Sequence, residues 1–182
     1  MTHDSDVGCY QRRMWCWVIV LGLSLVFVRG AVAQKITIEF DETADFSKFK
    51  TFAIRDGVLR SPHPALNSEL TKKHLEEAIE RELTARGLKK AVGSSDLTLS
   101  YIMGSRPAVE TELSPAGRRG GGTRVARVAS TEGNLIVDLR EAATRSLVWH
   151  TVATVEEETP AKVAKRLGDM VKKSMAKYPP KK

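Results

Sequence analysis

Cysteine is almost missing from this chain: the two present, Cys9 and Cys16, lie close to its start. Everything beyond them therefore lacks a disulfide framework, a thiolate nucleophile and a cysteine-ligated metal centre. Histidine is scarce as well. Past the N-terminal segment there are only His63, set between Pro62 and Pro64, then His74 and His150 in separate stretches, without the spacing of a triad or zinc site. The one glycine-rich run lacks the lysine-serine/threonine ending and following helix of a phosphate-binding loop. Long apolar runs are absent too: Met14–Val28 ends at Arg29, whereas a spanning helix takes roughly 20 residues. These absences lead to the expectation of no catalytic residue, no metal and no cofactor.

The N-terminal segment has a different signature. Arg12 and Arg13 precede the apolar run, and Ala31-Val32-Ala33 follows it, placing small residues at −3 and −1 of a cut before Gln34. That order reads as a secretory signal over residues 1–33, because the peptidase accepts only small side chains at those two positions. The expected mature chain is periplasmic or secreted, and it is membrane-associated only if the segment stays uncut. No cysteine stands at the cut, so lipid attachment is not expected. Residues 34–182 then read as one domain, with net charge +6 once the segment's three arginines and two aspartates are removed. A charge of about 2–8 is ordinary for a small soluble domain. Where it does attract polyanions outside the cytoplasm, these are lipid, lipopolysaccharide or cell-wall polymers rather than nucleic acid.

Periodicity supplies the elements. Lys35–Phe40 alternates strictly and reads as a half-buried strand; Phe49–Ile54 is a second, followed by a turn signal at Asp56-Gly57 and a break at Ser61–Pro64. Asn67 offers a helix N-cap. Leu66, Leu70, Leu75, Ile79 and Leu83 then mark the inner face of an amphipathic helix, with Lys72, Lys73, Glu76, Glu77 and Glu80 outward. Gly87 occupies the place of a left-handed stop, and Leu88 folds back on Leu83. Strands come next at Leu97–Met103, Leu135–Leu139 and Leu147–Val155, the last two joined by a hairpin connection at Glu141–Ser146. Thr159-Pro160 caps a second helix marked by Val163, Leu167, Met170 and Val171, continuing to Ser174 or Met175 and ending before Pro179-Pro180. Glu156, Glu157 and Glu158 suit its N-terminus as well as they suit a cation. The order β-β-α-β-β-β-α predicts an α+β fold: an antiparallel sheet of about five strands with both helices on one face.

Residues 104–133 are too long for an ordinary connection. They read either as a flexible surface loop or as a hairpin with arms Val109–Leu113 and Arg124–Ala129. Arg118, Arg119, Arg124 and Arg127 are the candidate anion-binding residues, since guanidinium groups meet phosphate or carboxylate with forked hydrogen bonds.

Several stretches together resemble a known family. Asp45-Phe-Ser-Lys-Phe-Lys-Thr-Phe-Ala53, Ala78–Leu88 with its glycine stop, Ser95–Tyr101, Gly133–Leu139, Thr144–Trp149 and the ending Tyr178-Pro179-Pro180 resemble, in order, the bacterial envelope family called domain of unknown function 4136. The resemblance implies an exported, often lipid-anchored protein without an established activity, so no catalytic residue carries over. This chain departs from it in lacking the lipobox cysteine and in an arginine-rich excursion where similar proteins often place aromatics. The recurring residues also have structural roles: Asp45 as a turn cap, Phe46, Phe49 and Phe52 as core, Trp149 as packing. Asp138 is expected to pair with Arg140 or Arg145, or to face solvent. The expected function is that of a noncatalytic binding or accessory module. Its contact surface would be the excursion and the helix-free sheet face, and its partner an anionic envelope component or an envelope protein. The alternatives are an envelope hydrolase, which needs His150 beside a carboxylate and a hydroxyl in a cleft, and a structural subunit, which an exposed apolar sheet face would favour.

Overall fold

The computed structural model describes residues 34–115 and 123–180. Residues 1–33, read from the sequence as a signal segment, fall outside these residues, as do Arg118 and Arg119. Among the described residues no helix is long and apolar enough to cross a membrane.

The strands are β1 (Lys35–Phe40), β2 (Thr51–Arg60), β3 (Lys89–Lys90), β4 (Leu97–Pro115), β5 (Thr123–Glu141) and β6 (Leu147–Glu157); the helices are α1 (Glu69–Thr84) and α2 (Pro160–Ser174). All six strands lie in one sheet, ordered β1-β6-β5-β4-β2-β3. From β1 to β4 the pairing is antiparallel as expected, but β2 runs parallel to both β4 and β3. The sheet is therefore mixed, and it has one more strand than expected. The cause is the link between β2 and β4: it contains α1, and a helical crossover returns the chain to the end of the sheet from which it left, which sets the strands parallel.

Alternation decides which residues enter the core. Leu97, Leu99, Tyr101 and Met103 of β4, Leu135, Val137 and Leu139 of β5, and Trp149, Ala153 and Val155 of β6 are buried on one face, with Ile36 and Ile38 of β1 packed against them. Both helices cover that face. Thr71, Leu75, Ala78, Ile79 and Leu83 come from α1, and Val163, Leu167, Met170, Val171 and Ser174 from α2. Leu70, expected inside α1, is exposed; Thr71 takes the inner position. The cap of α1 is Ser68 rather than Asn67, its Oγ accepting from the Thr71 N–H at 3.2 Å. The stop is as expected: Gly87 has φ +90°, Leu88 N–H donates to the Leu83 carbonyl at 3.2 Å, and Gly87 N–H to that of Thr84 at 3.0 Å. Thr159 caps α2, accepting from the Lys162 N–H at 3.3 Å. Arg86 joins the ends of both helices, donating from Nε to the Met175 carbonyl at 2.5 Å and from Nη1 to Glu82 at 2.9 Å.

Two glycine readings change. Asp56-Gly57 is not a turn but lies within β2 just after a register shift, and the Tyr101 ring occupies the space a Gly57 side chain would need. Gly104 and Gly133 do not end their strands either. At Gly133 a Cβ would come 2.4 Å from Val163 Cγ1, so the missing side chain is what lets α2 approach the sheet. β4 and β5 consequently run on into the excursion, pairing without interruption from Leu97↔Glu141 to Pro115↔Thr123. Their neighbours stop earlier, β2 at Arg60↔Gly104 and β6 at Thr131↔Glu157. Beyond Ala108↔Ser130 the two strands continue alone as a ribbon, so the hairpin reading of the excursion is the one the fold has.

Candidate functional site

The sheet face without helices is ordered in rows by the strand register. Its central row is apolar: Val58 of β2, Ile102 of β4, Ile136 of β5 and Val152 of β6, ending in Thr37 of β1. Val58 and Ile102 remain 38% and 37% exposed. The row on one side is Asp56, Ser100, Asp138, His150 and Glu39; the row on the other is Arg60, Gly104, Asn134, Thr154 and Lys35.

Within the first of these rows Asp138 Oδ1 lies 2.6 Å from His150 Nδ1, and its Oδ2 lies 3.8 Å from Arg140 Nη2. Arg140 is thus the partner foreseen from the sequence, and His150 the one missed, because the pairing of His150 with Asp138 depends on the register of β5 and β6, which shifts between Leu139 and Arg140. A carboxylate on Nδ1 leaves Nε2 available for hydrogen bonding or proton transfer. The order along the row restricts the use of that nitrogen. Asp138 stands between Ser100 and His150, so the serine neighbours the carboxylate rather than the imidazole, whereas an activated serine needs the imidazole next to it. On the far side of His150 the register places Glu39. The hollow beside the histidine among the described residues is shallow, about 250 Å³, and is lined by Glu39, Asp41, Leu147 and His150 among others. His63 and His74 lie on other elements, and no group of three metal-ligating side chains occurs among the described residues.

The ribbon carries the described part of the predicted anion site. Arg127 is exposed, stands opposite Thr111, and has no partner among the described residues. On the same ribbon face, two register pairs away in each direction, are Val109 and Val125, 65% and 61% exposed. Arg124 stands opposite Ser114, nearer the end of the ribbon.

The stretches that suggested a family have structural explanations. Asp45 caps the turn Phe46–Lys48, accepting from the Ser47 N–H at 3.1 Å. Asp96, whose role the sequence did not reveal, accepts from the backbone N–H groups of Lys50 and Thr51 and from Thr51 Oγ1, each at 2.9 Å. Those hydrogen bonds, the Lys50 N–H first, hold its carboxyl below the ordinary value. Tyr101 donates to Glu76 at 2.9 Å, fixing α1 over the sheet, and burial raises the pKa of its phenol. Trp149 is fully buried, stacked on Phe40 and edge-on to Tyr178, the packing role expected of it.

Similar folds occur among solved structures. A PDZ domain protein from Parabacteroides distasonis superposes with a TM-score of 0.55 at 17% identity over 82% of this chain, which spans only 37% of that protein. The PelC dodecamer from Paraburkholderia phytofirmans gives a TM-score of 0.48 at 11% identity, covering 79% of this chain and 96% of that one. Lipoprotein GNA1162 from Neisseria meningitidis gives 0.34 at 14% identity, covering 70% and 98%. No curated protein matches. A family model, by contrast, matches residues 36–180 without a break, and the chain belongs to the family described as Domain of unknown function (DUF4136).

Proposed function

We propose that this is an exported, noncatalytic envelope domain that attaches to an anionic lipid surface through its ribbon. The observation behind this reading is the unpartnered Arg127 set between exposed Val109 and Val125 on two strands that have left the body of the sheet. A cation flanked by apolar side chains matches an anionic amphiphile: the guanidinium takes the phosphate while the valines enter the headgroup boundary. Arg118, Arg119 and Arg124 add positive charge to the same stretch of sequence. The noncatalytic part of the reading is supported by the row order on the open face, where the carboxylate separates the serine from the imidazole.

Co-sedimentation with vesicles tests it. The chain is expected to pellet with phosphatidylglycerol-containing vesicles, to stay in solution with phosphatidylcholine alone, and to be released by salt. Replacing Arg118, Arg119, Arg124 and Arg127 by alanine is expected to weaken retention several-fold. Retention that is insensitive both to salt and to these changes overturns the proposal.

A further inference from the structure

We infer that the helix-free sheet face is the interface of a symmetric dimer, in which two copies of this chain pack sheet on sheet about a two-fold axis running along the Val58–Ile102–Ile136–Val152 row. No described element covers this face, and its central row crosses five strands while staying partly exposed.

What selects a second copy is the placement of charge. Lys35 and Glu39 stand on β1, Asp56 and Arg60 on β2, each pair astride the apolar row. Within one chain the members of each pair are about 14 Å apart along the strand, too far to meet. None of the four has an ion-pair partner among the described residues. A two-fold along the apolar row carries the acidic row of one copy over the basic-ended row of the other without changing which strand faces which. Lys35 then faces Glu39 of the second copy, and Arg60 faces Asp56. The same operation sets Arg140 of β5 over Glu132 of β5. The apolar row meets itself, as an isologous contact requires.

The dimensions agree with a stable contact. Three rows cross all five strands and two outer rows cross three or four. At about 4.8 Å between strands and about 6.8 Å between rows the footprint is about 700 Å² per copy, close to the usual size for one side of a specific interface. Packed sheets cross at about −30°, so strands two places from the centre are offset by about 5 Å. Lysine and arginine side chains span that offset. The charges fix the register of the two copies more than they hold them together.

Sedimentation equilibrium of the purified chain reads the outcome. Wild type is expected as a dimer that weakens with salt. Glu39→Lys sets like charges against Lys35 of the other copy and is expected to shift the mass to monomer, whereas Lys35→Glu with Glu39→Lys restores the opposition and the dimer. Ile102→Asp is expected to be monomeric with an unchanged circular dichroism spectrum. Because residues 35 and 39 are exposed, the charge pair decides the matter even if Ile102→Asp fails to fold. Alanine at all four ribbon arginines is expected to leave the dimer intact, which separates this inference from the lipid proposal. A wild-type monomer at every concentration reached overturns the inference. So does a dimer indifferent to Glu39→Lys, or a charge exchange that does not restore association.

Discussion

The body of the sheet and the ribbon beyond it are made of the same two strands, yet they differ in nearly everything else. In the body, Leu99↔Leu139 and Tyr101↔Val137 lie beneath the helices and are essentially fully buried. A few pairs further on, at the same parity, Val109 and Val125 are mostly exposed. Along the ribbon this parity becomes mixed, with Thr111 and Arg127 between Val109 and Val125, and α1 and α2 no longer lie above it. Burial here is a property of the layer, and alternation only chooses the face. A lone two-stranded ribbon is marginally stable in water at best, so the ribbon draws its order from the body and leaves its apolar groups available for contact.

The comparison is broken or sharpened most strongly by truncation. Leu139→Ala in the body is expected to cost about 2–5 kcal/mol, whereas Val125→Ala on the ribbon is expected to stay within about 0.5 kcal/mol, both read by urea denaturation. A comparable loss at Val125 would mean that the ribbon is covered in solution.

Gly133→Ala is expected next, at about 1–3 kcal/mol, because the added methyl overpacks the sheet against Val163. Combining it with Val163→Ala should recover part of the loss; no recovery would place the strain elsewhere than under α2.

The third effect is on pH. Hydrogen bonds lower the Asp96 carboxyl in the folded state, so its stabilising contribution is complete above the unfolded value of about 3.9 and fades as pH falls through the lower folded value. Asp41 and Glu141 are shifted in the same direction, by Thr43 and by Lys48 respectively. Melting temperature should therefore drop on acidification below about pH 4, and Asp96→Asn should flatten that limb. An unchanged limb would remove Asp96 as its source.

The smallest change is expected from His150→Ala, below about 1 kcal/mol for a pair only partly withdrawn from water. Vesicle retention should not move, since the residue is on the open sheet face rather than the ribbon. A loss of retention would transfer the lipid contact to that face.

Much of this molecule was legible in residue order because the forces concerned act locally. Strict alternation marked β1, and the glycine stop after Leu83 and the Thr159-Pro160 cap marked helix ends, since each is decided by a few neighbouring backbone groups. The inner face of α2 came from its spacing, and the arms of the Gly/Arg excursion marked it as a candidate hairpin. Ser68 displaced Asn67 as the cap one residue away, a scale at which adjacent polar side chains compete for the same N–H groups. Of the candidate anion site, Arg127 is seen exposed on the ribbon.

What the chain by itself determined, then, is its class of elements, their order, the family it belongs to and the face each strand turns inward. Tertiary structure alone decided that β2 runs parallel to β4, that Gly104 and Gly133 lie inside strands, and that His150 meets Asp138. The physical reason is common to all three. Each depends on which strands pair and in what register, and that is set in the assembled sheet rather than by any local preference. The open row of Val58, Ile102, Ile136 and Val152 arises in the same way: four ordinary strand residues, dispersed in the chain, become one surface when the strands are placed side by side.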